Sequence, residues 1–402
     1  MKNTVSVSSE TMFGEENFSL VLGGPLFQLL RRARLSDDAL DLVRKRIIVI
    51  SLFVWLPLLV LSVLEGNVLG GNAAIPFLMD MEVHIRFLVA VPLLIIAELV
   101  VHRRMRSLVK QFLERNLISG SDMPRFNAAI ASAFRLRNSV FAEVLLIVSV
   151  YVVGIMIVWR QYMVLDAATW YATPSTGGST LSLAGIWFAY ISLPVFQFLL
   201  YRWYFRLFIW MRFLWQVSRI ELRLVPTHPD RVGGLGFLSN TVYAFVPLAV
   251  AHGALLAGMF SNRIFHLGSK LTDFKMEIAV LAVFLLCVTI GPLLVFSSQL
   301  SQAKRKGLRE YGTLAQRYVR EFDDKWLRGG APAGEPLVGS SDIQSLADLG
   351  NSFEVVKTMK FVPVSKDAII LLAAATLVPI VPLLLTMMPL EELLKKLFGI
   401  LF

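Results

Sequence analysis

An all-α, polytopic membrane bundle of about seven transmembrane helices, with a small helical cytoplasmic layer, is the fold class this 402-residue sequence predicts. Three observations predict it. Hydrophobic residues make up 56% of the chain and charged residues only 17%, the balance of a chain whose solvent is lipid. The apolar residues gather in runs close to the roughly 20 needed to cross a bilayer. The 39 Lys and Arg alternate in density from one gap between runs to the next.

The first unit is 1–46. Its opening eighteen residues, MKNTVSVSSETMFGEENF, are polar and acidic and lack the apolar core of a secretory signal, so they read as a disordered cytoplasmic tail. SDDALDLVRKR, 36–46, offers Ser36 as an N-cap, acids in the first turn and basic residues at the membrane edge, which predicts a short helix running into the first span.

Spans follow at about 47–64, 85–102, 139–159, 182–204, 241–262, 276–299 and 367–387. The membrane region 47–299 thus holds six of them, with loops 103–138 and 205–240 on one side. The first loop reads as a helical hairpin broken at SGSDMP. Span four continues inward, with Arg202, Arg206, Arg212, Arg219 and Arg223 sharing one arc of the helix. The unit 300–366 starts as a charged continuation of span six, passes through the linker GGAPAGEPLVGSS and returns as helix until Pro363. The last unit, 367–402, is the seventh span followed by PLEELLKKLFGILF, whose leucines share a face suited to an interfacial amphipathic helix.

Of the 39 basic residues, 32 fall before span one or within 103–138, 202–240 and 300–366. The positive-inside rule then predicts an integral protein of the cell (inner) membrane with a cytoplasmic N-terminus and an outer C-terminus. The net charge of +10 is accounted for by this orientation. A nucleic-acid partner is therefore not expected, since it would need a folded basic face with stacking aromatics. The partners implied are the lipid bilayer, a second copy of the chain, and a cytoplasmic protein engaging 300–366.

Charged groups at membrane depth are costly and call for a partner or a purpose. Glu98 and Glu143 lie just inside the cytoplasmic ends of spans two and three. Either they pair with Arg103, Arg104, Arg135 or Arg137, or they line an inner vestibule that selects cations or carries protons. His252 lies near the middle of span five, as a neutral ring bonded to a neighbouring carbonyl or hydroxyl or as a proton site. Beside it Ala249, Gly253, Ala257 and Ser261 form a stripe suited to close helix contact. Pro57, Pro92, Pro194, Pro247, Pro292, Pro379 and Pro382 interrupt six of the seven spans, which favours bent helices around a cavity or gate.

The stretch VPTHPDRVGGLGFLSN, 225–240, carries two readings. In one, prolines stop the arriving helix, glycines turn the chain, and Asp230 makes an Asx-type turn. In the other, the backbone of Gly233, Gly234 and Gly236 with Arg231 forms an anion nest, and His228 with Asp230 an acid/base pair. No GxxxxGK[ST] or GxGxxG motif supports a nucleotide, and no cofactor is expected. The single Cys287 and the scattered His84, His102, His228, His252 and His266 offer no metal-ligand spacing.

Three function classes remain. The favoured one is a channel or secondary transporter for an ion, a proton-coupled or an amphiphilic solute, along a path through His252, Glu98 and Glu143. Next is a signalling or scaffold protein acting through 300–366. Last is an interfacial enzyme working on a lipid or lipid-linked substrate with His228, Asp230 and Arg231.

Overall fold

A computed structural model of the chain describes residues 18–32, 42–70, 73–153, 169–175 and 178–387. The expected Ser36 cap, the amphipathic helix 389–402 and nearly all of the N-terminal tail lie outside the described residues. Phe18 and the residues after it are a correction to that tail: they are packed into the protein.

Ten helical segments and one hairpin succeed one another among the described residues. They are α1 (Pro25–Arg32), α2 (Val43–Leu64), α3 (Met81–Glu114), α4 (Met123–Arg137), α5 (Val140–Val153), the antiparallel strands β1 (Ala172–Ser175) and β2 (Gly178–Leu181), then α6 (Leu183–Val217), α7 (Gly236–Leu267), α8 (Leu271–Leu327), α9 (Ser341–Lys357) and α10 (Lys366–Thr386). Helices α2, α3, α6, α7, α8 and α10 are long and apolar enough to cross a membrane. The helical run 120–137 and α5, bent by 45° at their junction, form up to a seventh span. The architecture is that of a multi-pass helical membrane protein. Its lipid-facing surface is oily: Phe53 and Val63 on α2, Phe141 and Val148 on α5, and Met276 and Val280 on α8 are all exposed.

Four of the span prolines coincide with changes in backbone pairing, whereas Pro57 sits inside the unbroken α2. Pro92 and Pro194 each follow a single π turn, Arg86–Ala90 and Phe188–Ser192, and Pro292 and Pro379 each sit at the start of a 3-10 segment, Gly291–Phe296 and Val378–Thr386. A proline has no amide hydrogen and its ring crowds the carbonyl one turn earlier, so the helix widens or tightens there.

Burial identifies the centre. Half of the apolar stretch of α3 and of α6, and 61% of that of α7, is inside the protein, against 22% for α2 and α8 and 33% for α10. The small-residue stripe on α7 works as expected at Gly253: a β-carbon placed there would lie 2.1 Å from the Thr376 carbonyl oxygen of α10, so only glycine allows the two backbones to meet. On the basic side, α8 runs on past the membrane-length region and pairs with α9. Gly307 lets them close on the 225–240 loop, since a β-carbon there would lie 2.6 Å from Pro226 Cβ and 2.9 Å from Val356 Cγ1. Lys325 ties the connecting linker by reaching Glu335 at 2.6 Å and Asp342 at 2.9 Å.

Candidate functional site

Helix periodicity decides who meets Glu98. Arg103 follows it by five residues, which at about 100° per residue turns the arginine well away from the carboxylate's face. The partners come instead from two other helices. Arg206 of α6 donates from Nη2 to Glu98 Oε1 at 2.7 Å, Arg46 of α2 pairs with Oε2, and Arg202 Nη1 stands 3.8 Å from Oε1. This corrects the expected pairing with Arg103, Arg104, Arg135 or Arg137. Arg46, Glu98, Arg202 and Arg206 are all buried. Trp203 fixes α6 against α3 by donating its indole N–H to the Leu94 carbonyl at 3.0 Å, and the Arg206 guanidinium lies 4.7 Å from its ring centre.

Arg202 bridges to the second acid, its Nη2 standing 3.9 Å from Glu143 Oε1 on α5. The other Glu143 oxygen accepts the backbone N–H of Leu26 at 2.8 Å. Three arginines and two glutamates therefore share one buried cluster with a formal surplus of one positive charge. Arg46 Nε has no hydrogen-bond partner among the described residues, and the separations of Arg202 are those of ion pairs without a close hydrogen bond.

Above this cluster lies a cavity of about 390 Å³. Its walls are apolar, made by Ile50 and Phe53 of α2, Ile147 and Val150 of α5, and Val195 and Leu199 of α6. Arg46, Glu98 and Arg202 form its polar end. Its lip includes Val49, Phe53 and Tyr151, which are exposed on the apolar outer surface.

The N-terminal segment packs onto α4 and α6 beside the cavity. Phe18 is fully buried, with ring centres 5.1 Å from Phe213 and 5.7 Å from Phe134. Arg137 Nη1 donates to the Ser19 carbonyl at 2.7 Å, and the Ser19 hydroxyl lies 2.9 Å from His102 Nδ1. The chain then turns through Gly23 and Gly24, both at positive φ. A β-carbon at Gly23 would meet Asn138 Oδ1 at 2.6 Å. Leu26 follows and is itself part of the cavity wall.

His252 stands apart from this site. Its Nδ1 lies 2.7 Å from the Leu248 carbonyl and its Nε2 2.6 Å from the Tyr204 hydroxyl. A carbonyl can only accept, so Nδ1 carries a hydrogen, and the Tyr204 hydroxyl partners Nε2, which leaves both ring nitrogens hydrogen-bonded within the protein. The structure thus brings Glu98 and Glu143 together and leaves His252 in a separate contact between α6 and α7.

The 225–240 loop has its own logic. Asp230 Oδ1 accepts from the amides of Val232 at 2.9 Å and Gly234 at 3.1 Å, and Oδ2 accepts from Gly236 at 2.8 Å. The amides that a phosphate would use are taken by the chain's own carboxylate. Burial alone would raise the Asp230 pKa, but these three amides, with His228 beside them, hold it below the usual carboxylate range. His228 Nδ1 lies 2.9 Å from Asp230 Oδ1 and accepts the Asp230 backbone N–H at 3.3 Å, so the two do meet. Arg231 and Gly233 adopt left-handed angles; the Arg231 side chain is exposed while its carbonyl accepts from Lys360 N at 2.7 Å. The loop is a clamp between α6, α7 and the segment before α10.

Sequence reading missed Arg46, Arg202 and Arg206 as partners of the acids, and it missed the strap 18–26. The arc of arginines on α6 was the available signal, because two of its members fall where the span is still apolar. No family model, curated protein or solved structure matches the chain, so its geometry alone carries the functional reading.

Proposed function

We propose that the protein binds an amphiphilic solute in the membrane half nearest its basic face and moves it between leaflets, and that this face is cytoplasmic. The observation that carries the reading is the oily cavity between α2, α5 and α6, which reaches the lipid-facing surface at one end and buried charge at the other. That gradient matches a molecule with a tail and a polar head. A cation path through Glu98 and Glu143 is less well supported, because the arginines outnumber the acids and a cation would meet a positive field. His252, bonded at both ring nitrogens, likewise supports packing over proton relay.

The test uses purified full-length protein in phosphatidylcholine vesicles, with transfer of a fluorescent single-chain lipid between leaflets and cation or proton flux followed in parallel. The proposal expects faster lipid transfer, lost in Ile147→Trp, which fills the cavity from its lipid side, and kept in His252→Phe. Ion flux sensitive to Glu98→Gln, without lipid transfer, would overturn it.

A second reading, recruitment of a soluble partner, is favoured by the exposure of the α8–α9 hairpin: Val356 is the sole buried residue of α9 among the described ones. A β-carbon built on Gly312 would lie 3.7 Å from Phe353 Cε2, so a short linker can replace 313–352. Under this reading that replacement abolishes partner capture while leaving the protein in the membrane.

A further inference from the structure

Resting on the amphiphile reading, we infer that the solute is a single-chain acid, with a carboxylate or phosphate-monoester head held by Arg202 and Arg46 and its tail between Phe53, Ile147 and Val150.

Charge is the first support. The buried cluster carries one formal positive charge beyond what its own acids neutralise. An uncompensated charge away from water is costly, and an entering anion would offset it. Donor geometry is the second. Arg46 is 2% exposed, lines the cavity, and has an Nε–H without a partner among the described residues. Arg202 also lines the cavity and stands 3.8 and 3.9 Å from its two acids, so its donors remain available for the close, paired hydrogen bonds that guanidinium makes to carboxylate or phosphate.

Access is the third. The strap 18–26, anchored by Phe18, Arg137 and the Leu26–Glu143 bond, contributes Leu26 to the cavity lining. Among the described residues the exposed part of that lining is apolar, at Val49, Phe53 and Tyr151. A small aqueous anion has no reason to cross that apolar lip, whereas a lipid-dissolved acid is already there. The volume, about 390 Å³, lies at the low end of ligand cavities and suits one chain better than two.

The experiment measures displacement of a fluorescent fatty acid from the full-length protein in phosphatidylcholine nanodiscs. Competitors are oleate, lysophosphatidic acid, oleyl alcohol, oleylamine, acetate and inorganic phosphate. Oleate or lysophosphatidic acid is expected to compete at least about tenfold better than the alcohol or the amine, the effect of one charge-assisted contact. Arg202→Gln is expected to weaken the probe by a similar factor, Arg202→Lys to restore part of it, and Ile147→Trp to abolish binding with the charges intact.

Equal competition by oleyl alcohol would overturn the acidic head while leaving the amphiphile reading in place. Competition by acetate or phosphate at the strength of oleate would point to an aqueous anion and overturn the inference. Probe binding unchanged in both Arg202→Gln and Ile147→Trp would mean surface lipid only. Absence of probe binding in the wild-type protein would defeat both this inference and the function it rests on.

Discussion

Asp80 and Glu98 are buried acids on the same helix, at its N-cap and some 27 Å further along at 1.5 Å per residue, and they are handled in opposite ways. Among the described residues Asp80 takes only neutral donors: the Val83 amide at 3.2 Å, the Asn262 side-chain amide at 2.7 Å and the Trp170 indole at 2.9 Å. Asn262 returns the favour by accepting the Met81 amide at 3.0 Å. This level is a lock between the start of α3, the end of α7 and the segment before β1. Around Glu98 the donors are cations, there are more of them than the acids require, and a cavity adjoins them. One-to-one neutral bonding holds a shape, whereas surplus buried charge leaves bonding capacity for a ligand.

Removing each acid tests that contrast. Glu98→Ala should be the most damaging, leaving three guanidiniums close together without their central carboxylate, at about 3–5 kcal/mol. A lowered unfolding midpoint in detergent would register it. A wild-type midpoint would mean the cluster is not held by this acid.

Asp80→Ala should cost less, about 2–3 kcal/mol, from a lost N-cap and two orphaned donors. It should change Trp170 fluorescence yet leave fatty-acid binding unaltered. Weakened binding in this variant would erase the distinction between lock and ligand site.

Asp230 gives the smallest effect and a pH signature. Its carboxyl is depressed in the folded protein, so the stability it contributes is present above the unfolded value near 3.9 and is lost as pH falls through the folded one. Hydrogen exchange at Val232, Gly234 and Gly236 should therefore lose protection on acidification below about pH 4, by about 1 kcal/mol. In Asp230→Asn the same amides should be less protected at neutral pH and insensitive over that range. Protection in the wild type that holds steady through acid would show that the loop is clamped by other means.

The spans were legible because hydrocarbon imposes a length and a composition on every crossing, and runs such as IIVISLFVWLPLLVLSVL satisfy both. The face of α7 at Gly253 was legible too, because four-residue spacing of small side chains is a local pattern. The partners of Glu98 were not. Arg46 and Arg206 lie far from it in sequence, and only the packing of three helices makes them neighbours; the nearer arginines point elsewhere. The strap escaped because nothing local in ENFSLVLGGPL says which aromatic cluster will receive Phe18. The loop at 225–240 was legible in one of its two readings: its glycines announced tight backbone, and Asp230 makes the expected Asx-type turn through the Val232 amide while also taking those of Gly234 and Gly236.

The seam where Gly253 meets Thr376 has a practical consequence. Because the two main chains meet there without intervening side chains, α7 and α10 offer a close-packed pair to measure against. Spectroscopic labels on the outer surface of α10 and on α2 or α5 would report movement of the cavity wall relative to that pair, with a second label pair across the α7–α10 seam as the control.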